Sequence, residues 1–393
     1  MRVKPSNRTS GVQEYYFSAK LKQIEEMRKK GDDIINLGIG SPDMPPSQNT
    51  LKGLINEAQK STVHGYQSYT GIPALRSAFA SWYKKYFNVS LNPDNEILPL
   101  MGSKEGIMHI SMAFVNPGDE VLVPDPGYPA YTSVTNLVGG KVVNYPLEEN
   151  NGWLPDLHEI EKSDLRNVKL MWVNYPHMPT GTKGSTELFE KLVSFAIKHN
   201  ILICNDNPYS FILNRQYHSI LAPKNAIDVA LELNSLSKSH NMAGWRIGMV
   251  AGNKDYISEI LKVKSNMDSG MFRPLQVAAV EALKNPDAWY ESINKVYRER
   301  RKIAEEIMEV LGCEYNSDQV GLFLWGRLPV NVKSCETFVD ELLMKAHLFI
   351  TPGFIFGSNG ERYIRISLCS NEETLREARE RAKTFQSSYT SEF

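Results

Sequence analysis

The sequence predicts an α/β protein: a large domain on a mostly parallel sheet, followed by a smaller α+β unit. Three observations predict it. The 393 residues are 42% hydrophobic, enough apolar surface for a large core spread over two or three domains. Short apolar runs alternate with helical stretches through most of the chain, as in parallel α/β sheets. Beyond residue 286 the pattern changes to one long charged helix, then strand, helix, strand and helix.

The elements follow in order. Residues 13–30 read as a helix that Gly31 stops, and 34–40 as an extended apolar segment punctuated by Ser41, Pro42 and Pro45. Residues 73–86 place Leu75, Phe79 and Trp82 at near-helical spacing. The turn Asn116-Pro117-Gly118-Asp119 leads into a strand over 120–124, and 141–145, 170–174 and 201–205 are further apolar runs. A helix over 185–199 separates the last two. In the C-terminal part, helices are expected over 287–311, 335–345 and 372–388, with strands over 321–325 and 364–369. The N-terminal segment is expected to pack against this smaller unit.

The formal net charge is -1, from 44 basic and 45 acidic residues, which gives no field to favour nucleic acid or a membrane surface. Residues 1–11 carry no apolar core of a signal peptide, and no apolar run approaches the roughly 20 residues of a membrane helix. Cys204, Cys313, Cys335 and Cys369 form no C-x-x-C pair and no metal-ligand spacing, so they read as free thiols and no metal is expected. The expectation is a soluble, cytoplasmic protein acting on small molecules.

The central chemical motif is Ser235-Leu236-Ser237-Lys238, followed by Met242, Gly244 and Arg246. A lysine that forms a Schiff base needs close backbone approach and a desolvated amine, and small neighbours allow both. Arg246 offers a planar fork suited to phosphate. Taken singly, Lys238 fits a surface turn equally well. The ordered set S-x-S-K-x-x-x-M-x-G-x-R does not often arise by chance.

With these residues the sequence resembles the class I and II aminotransferases of fold type I, which use pyridoxal 5'-phosphate (PLP). The likeness covers nearly the whole chain, with motifs in the family's order. It implies an aspartate aminotransferase-like large PLP-binding domain with a seven-stranded sheet over 49–285. It also implies a small domain from 286–393, completed by an N-terminal arm over 1–48. Lys238 would carry the cofactor, with Ser235, Ser237 and Arg246 at its phosphate. Asp206 and Tyr209, in Asp206-Asn207-Pro208-Tyr209, would meet the pyridine nitrogen and the phenolic oxygen. Ser103 and Lys104, in Gly102-Ser103-Lys104-Glu105-Gly106, would form a phosphate turn at a helix start. Tyr128, in Pro126-Gly127-Tyr128-Pro129-Ala130-Tyr131, would stack on the ring.

The likeness extends to substrate and partner. Gly40 would admit the substrate carboxylate near backbone, and Arg365 would grip it; strand alternation turns Arg362 to the other face. Tyr66, in Tyr66-Gln67-Ser68-Tyr69-Thr70-Gly71-Ile72-Pro73, matches a tyrosine that reaches the neighbouring subunit's phosphate, which implies a homodimer with shared sites. The wording is most similar to the branch that holds LL-diaminopimelate aminotransferases, in which Tyr15, Lys104 and Asn266 would face a distal substrate group. A helix-packing tyrosine, a solvated lysine and a loop asparagine fit those three positions equally well.

One position departs from the family. Where N-P-T-G is usual, the chain reads Met178-Pro179-Thr180-Gly181, and a thioether has no donor for the phenolic oxygen. His177, Asn174 or Tyr209 alone are the alternatives. The implied activity is transfer of an amino group from an α-amino acid to a 2-oxo acid such as 2-oxoglutarate. A PLP-dependent lyase on the same scaffold is the second reading, and a non-catalytic PLP-binding regulator a remote third.

Overall fold

The computed structural model describes residues 3–10 and 16–389. The first strand, β1 (Ile35–Asn36), follows the helix Tyr16–Lys29. Seven strands come next: β2 (Ile97–Leu100), β3 (Glu120–Asp125), β4 (Lys141–Pro146), β5 (Val168–Val173), β6 (Leu202–Asp206), β7 (Ala230–Ser235) and β8 (Gly248–Gly252). Among the described residues they form one sheet of order β2-β8-β7-β6-β5-β3-β4. The ladders linking β4, β3, β5, β6 and β7 are parallel, and β8 runs antiparallel to both its neighbours.

Strand alternation divides the core between the two faces of this sheet. Leu98, Val121, Val123, Leu170, Trp172, Cys204 and Val250 belong to one buried cluster with the helices Ser103–Phe114 and Lys254–Lys264. Ile97, Leu122, Met171, Val173, Ile203 and Met249 belong to the other, with Pro73–Phe87 and Thr186–His199.

Three strands of this sheet lie where the sequence pattern gave no strand. β7 buries Glu232 and Asn234 among its apolar residues, and β8 is flanked by two glycines. β2 contains Pro99, which a central strand would exclude. It survives because β2 sits at the sheet's edge.

The rest forms a smaller unit. β9 (Glu314–Tyr315), β10 (Phe323–Arg327), β12 (Thr351–Pro352) and β13 (Tyr363–Ser367) make an antiparallel sheet ordered β12-β13-β10-β9. β11 (Leu348–Phe349) pairs in parallel with β1, which ties residues 35–36 to residues 348–349. The helix Asp287–Val310 packs on Glu372–Tyr389. From it, Arg300 reaches back to Asp43 with two contacts of 2.6 and 2.8 Å. No helix among the described residues is long and apolar enough to cross a membrane.

Candidate active site

A cleft of about 610 Å³ opens at the C-terminal ends of the parallel strands, where α/β sheets place their ligands. It is lined by Gly40, Ser103, Lys104, Tyr128, Asp206, Tyr209, Ser235, Ser237, Lys238, Arg246 and Arg365, brought together from regions far apart in sequence.

Asp206 ends β6 at the floor, 5% exposed. Tyr131 donates to its Oδ2 at 3.1 Å, while its Oδ1 is buried with no hydrogen-bond partner among the described residues. Burial raises the carboxyl to about 7, against the lowering effects of the Tyr131 hydrogen bond and the Lys238 charge. Such an orphaned acceptor suits a protonated ring nitrogen. Tyr128 lies above as the residue before the helix Pro129–Val138, its phenol pushed up to about 12 by burial and by Asp206.

Lys238 sits in the short helix Leu236–Ser239, started by Ser235, whose Oγ accepts from the Ser237 N–H at 3.1 Å. Burial lowers the Lys238 ammonium, and the Arg365 and Arg246 charges add to this, with Cys369 and Asp206 opposing. Its Nζ donates to the Gly40 carbonyl.

The turn at Gly102, before the helix Ser103–Phe114, is built around Arg246. Gly102 has φ +88, which favours glycine, and a Cβ there would lie 2.2 Å from Arg246 Nη2, so a side chain would make the guanidinium shift. Arg246 itself is left-handed at φ 57, with Nη1 donating to Ala243 O at 3.1 Å. Ser103 opens the helix Ser103–Phe114 directly beside it, where backbone N–H groups point outward. An orphaned carboxylate oxygen, a desolvated lysine and an arginine-lined helix start together fit PLP.

Arg365 is 5% exposed and donates from Nη2 to Gly38 O at 2.9 Å. Its guanidinium carbon lies 3.8 Å from the Phe323 ring centroid and 4.7 Å from that of Phe356. Arg362 instead spends its donors on the carbonyls of Leu328, Pro329 and Val332, outside the cleft. Gly40 packs close against Phe323: a Cβ would come within 2.3 Å of the ring.

Of the alternatives for the missing donor, Asn174 lines the cleft and His177 does not. Asn174 donates to the Asp206 carbonyl and accepts from Met178 N at 2.8 Å. His177 is bonded to Thr180 Oγ1 at 2.8 Å, and burial pushes its imidazole down to about 3. Tyr66 is 93% exposed and stands away from this cleft. Asn266 is also outside it, its amide turned back onto Lys262 O at 2.8 Å. Tyr15 lies outside the described residues. Sequence reasoning missed the Tyr131 contact, although Tyr131 stands three residues after Tyr128 in the same motif.

Glu105, His109 and Asp268 bring three ligand-type atoms within 4.8 Å of one another. The buried Lys264 ammonium, 2.8 Å from Asp268, already supplies the positive charge there.

The family model for aminotransferase class I and II matches residues 32–381. The chain is 42% identical to an LL-diaminopimelate aminotransferase of Aquifex aeolicus, over 97% of this chain and 99% of that one. It is 40% identical to one from Dehalococcoides mccartyi, over 95% and 96%. Among solved structures, apo-BacF of Bacillus subtilis superposes with a TM-score of 0.94 at 35% identity, covering 98% and 99%. A Thermus thermophilus aspartate aminotransferase mutant gives 0.90 at 26%, covering 98% and 100%. The chain belongs to the class I and II aminotransferases, and is a PLP-dependent transferase of amino groups.

Proposed function

We propose that Lys238 is the residue that holds PLP and moves the proton, with Asp206 and Arg365 fixing cofactor and substrate on either side of it. One observation carries this reading: the three side chains line a single cleft although they come from β6, the turn after β7, and β13. PLP, when bound, supplies a conjugated electron sink for charge that develops on the substrate's α-carbon.

The chain's own residues do the rest. The Lys238 amine, made less basic by burial, takes the proton from the substrate's α-carbon and would deliver it to the cofactor's C4′ carbon. Asp206 keeps a negative charge against the ring nitrogen, and Tyr209 offers its hydroxyl to the phenolic oxygen. Ser103, Lys104, Ser235, Ser237 and Arg246 hold the phosphate, and Tyr128 covers the ring. Arg365 takes the α-carboxylate bidentately, next to Gly40. The aminotransferase names of the relatives favour transamination over elimination.

The active protein is a symmetric homodimer in this reading, and Tyr66 completes the phosphate site of the partner. Support comes from its 93% exposure, with Tyr69, Met267 and Phe272 also exposed. Four buried, unpaired cysteines support a cytoplasmic location. The test mixes two inactive variants, Tyr66→Ala and Lys238→Ala, after gentle dissociation. Shared sites restore part of the activity, because one site of the mixed dimer carries neither lesion. A monodisperse, fully active monomer contradicts the dimer.

A further inference from the structure

Arg365 fixes where a substrate's carboxylate must lie, and therefore where its side chain must go. Around it the cleft wall is apolar. Phe17 and Leu21 stand one turn apart on the helix Tyr16–Lys29, Ile39 comes from the loop beside Gly40, and Ile355 and Phe356 come from the turn Gly353–Phe356. Phe17 and Phe356 flank the guanidinium itself, with centroids 5.9 and 4.7 Å from its carbon. Leu21 and Ile39 are 37% and 42% exposed, uncovered apolar side chains at the rim of an otherwise well-packed chain. Of the charged lining residues, Asp206 ends β6, Lys238 lies in the helix Leu236–Ser239, and Lys104 and Arg246 lie by the start of the helix Ser103–Phe114.

Leu21 and Ile39 also border a second groove, between the helices Tyr16–Lys29 and Glu372–Tyr389. A long substrate would extend there. The groove's arginines are already engaged: Arg28 on Ile34 O at 2.6 Å, Arg376 on Glu372 at 2.7 Å, and Arg381 on Asp33 at 2.5 Å. A distal carboxylate would lose water against this wall and face the groove's acids Glu25, Asp33, Glu373, Glu377 and Glu380, with its arginines already engaged, which is unfavourable.

We infer that the amino donor is an α-amino acid with an apolar side chain, aromatic or branched aliphatic, seated on Phe17, Leu21, Ile39, Ile355 and Phe356. This rests on the proposed roles of Lys238 and Arg365. It differs from the diaminopimelate in the names of the relatives.

The test uses the PLP-loaded protein without any 2-oxo acid. L-Phenylalanine, L-leucine, LL-diaminopimelate and L-aspartate are added separately, and loss of the cofactor's visible band is followed. L-Phenylalanine or L-leucine should be preferred over LL-diaminopimelate by at least about tenfold in kcat/KM, the scale on which apolar pockets discriminate. Leu21→Lys should shrink that ratio by at least about tenfold, while Leu21→Met keeps it and both variants retain PLP. Equal or faster reaction of LL-diaminopimelate overturns the inference and leaves the proposed roles of Lys238 and Arg365 standing. A band that no donor changes overturns both.

Discussion

The Sδ of Met178 lies 3.2 Å from Nη1 of Arg365, so one arm of this buried guanidinium points at a thioether. Sulfur in a thioether is a weak acceptor and offers no proton. An asparagine in its place would give Arg365 a carboxamide oxygen and present an N–H₂ to the cofactor's side of the cleft. Met178→Asn should therefore move the pH midpoint of the bound cofactor's visible band downward, since a donor to an ionised oxygen favours that ionised form. An unchanged midpoint in a spectrophotometric titration would show that Asn174, on the same wall, already fills this role.

The two neighbouring arginines should separate cleanly in their effects. Arg365→Lys keeps the charge and loses the fork, so KM for both amino donor and 2-oxo acceptor should rise while PLP stays bound. Arg362→Ala should leave KM near wild type and lower thermal stability by about 2 kcal/mol, because its carbonyl partners at Leu328, Pro329 and Val332 lose their donor. Steady-state kinetics beside a melting curve distinguish the two patterns.

The buried Asp206 carboxyl gives the cofactor-free protein a distinctive pH dependence. Its folded value of about 7 lies above the 3.8 of a free aspartate carboxyl, so its ionisation opposes folding. The cost is absent below about pH 4, grows as pH rises between the two values, and is complete above about pH 7. Stripped of PLP, Asp206→Asn should be more stable than wild type at pH 8, with the gap closing toward pH 4. Melting temperatures at a series of pH values measure this, and a gap that widens on acidification would have the wrong sign.

Gly102→Ala should loosen the cofactor. The new methyl would meet Arg246 Nη2 at 2.2 Å, from a backbone at φ +88 that alanine disfavours. Displacing the guanidinium loses a charge-assisted hydrogen bond, which corresponds to a rise of about tenfold to a hundredfold in the PLP dissociation constant. Equilibrium dialysis against free PLP reads it directly.

The chemistry of the site was more legible in the sequence than the sheet that carries it. Lys238, Asp206 and Arg365 sit in short ordered motifs whose residue types make sense only together. The 3.6-residue spacing of Leu75, Phe79 and Trp82 marks a helix because helix faces repeat locally. β7 was hidden because Glu232 is satisfied by partners far away in sequence, with Tyr83 donating at 2.9 Å and Asn205 at 3.0 Å. Tyr131 was passed over for a similar reason. Its ring stacks on Trp172 at 5.0 Å, and its hydroxyl finds Asp206 75 positions on, neither of which local spacing encodes. Alternation along a strand is itself a local rule, and it separates Arg365, which lines the cleft, from Arg362, which does not.

The central claim is that Lys238 holds PLP. Borohydride reduction of the PLP-loaded protein, followed by proteolysis and mass spectrometry of the peptides, tests it most directly. A single phosphopyridoxyl group is expected on the peptide containing Lys238, and none in Lys238→Ala, which should also lose the visible band and several orders of magnitude of turnover. A stoichiometric adduct on another lysine, with activity retained in Lys238→Ala, would contradict it.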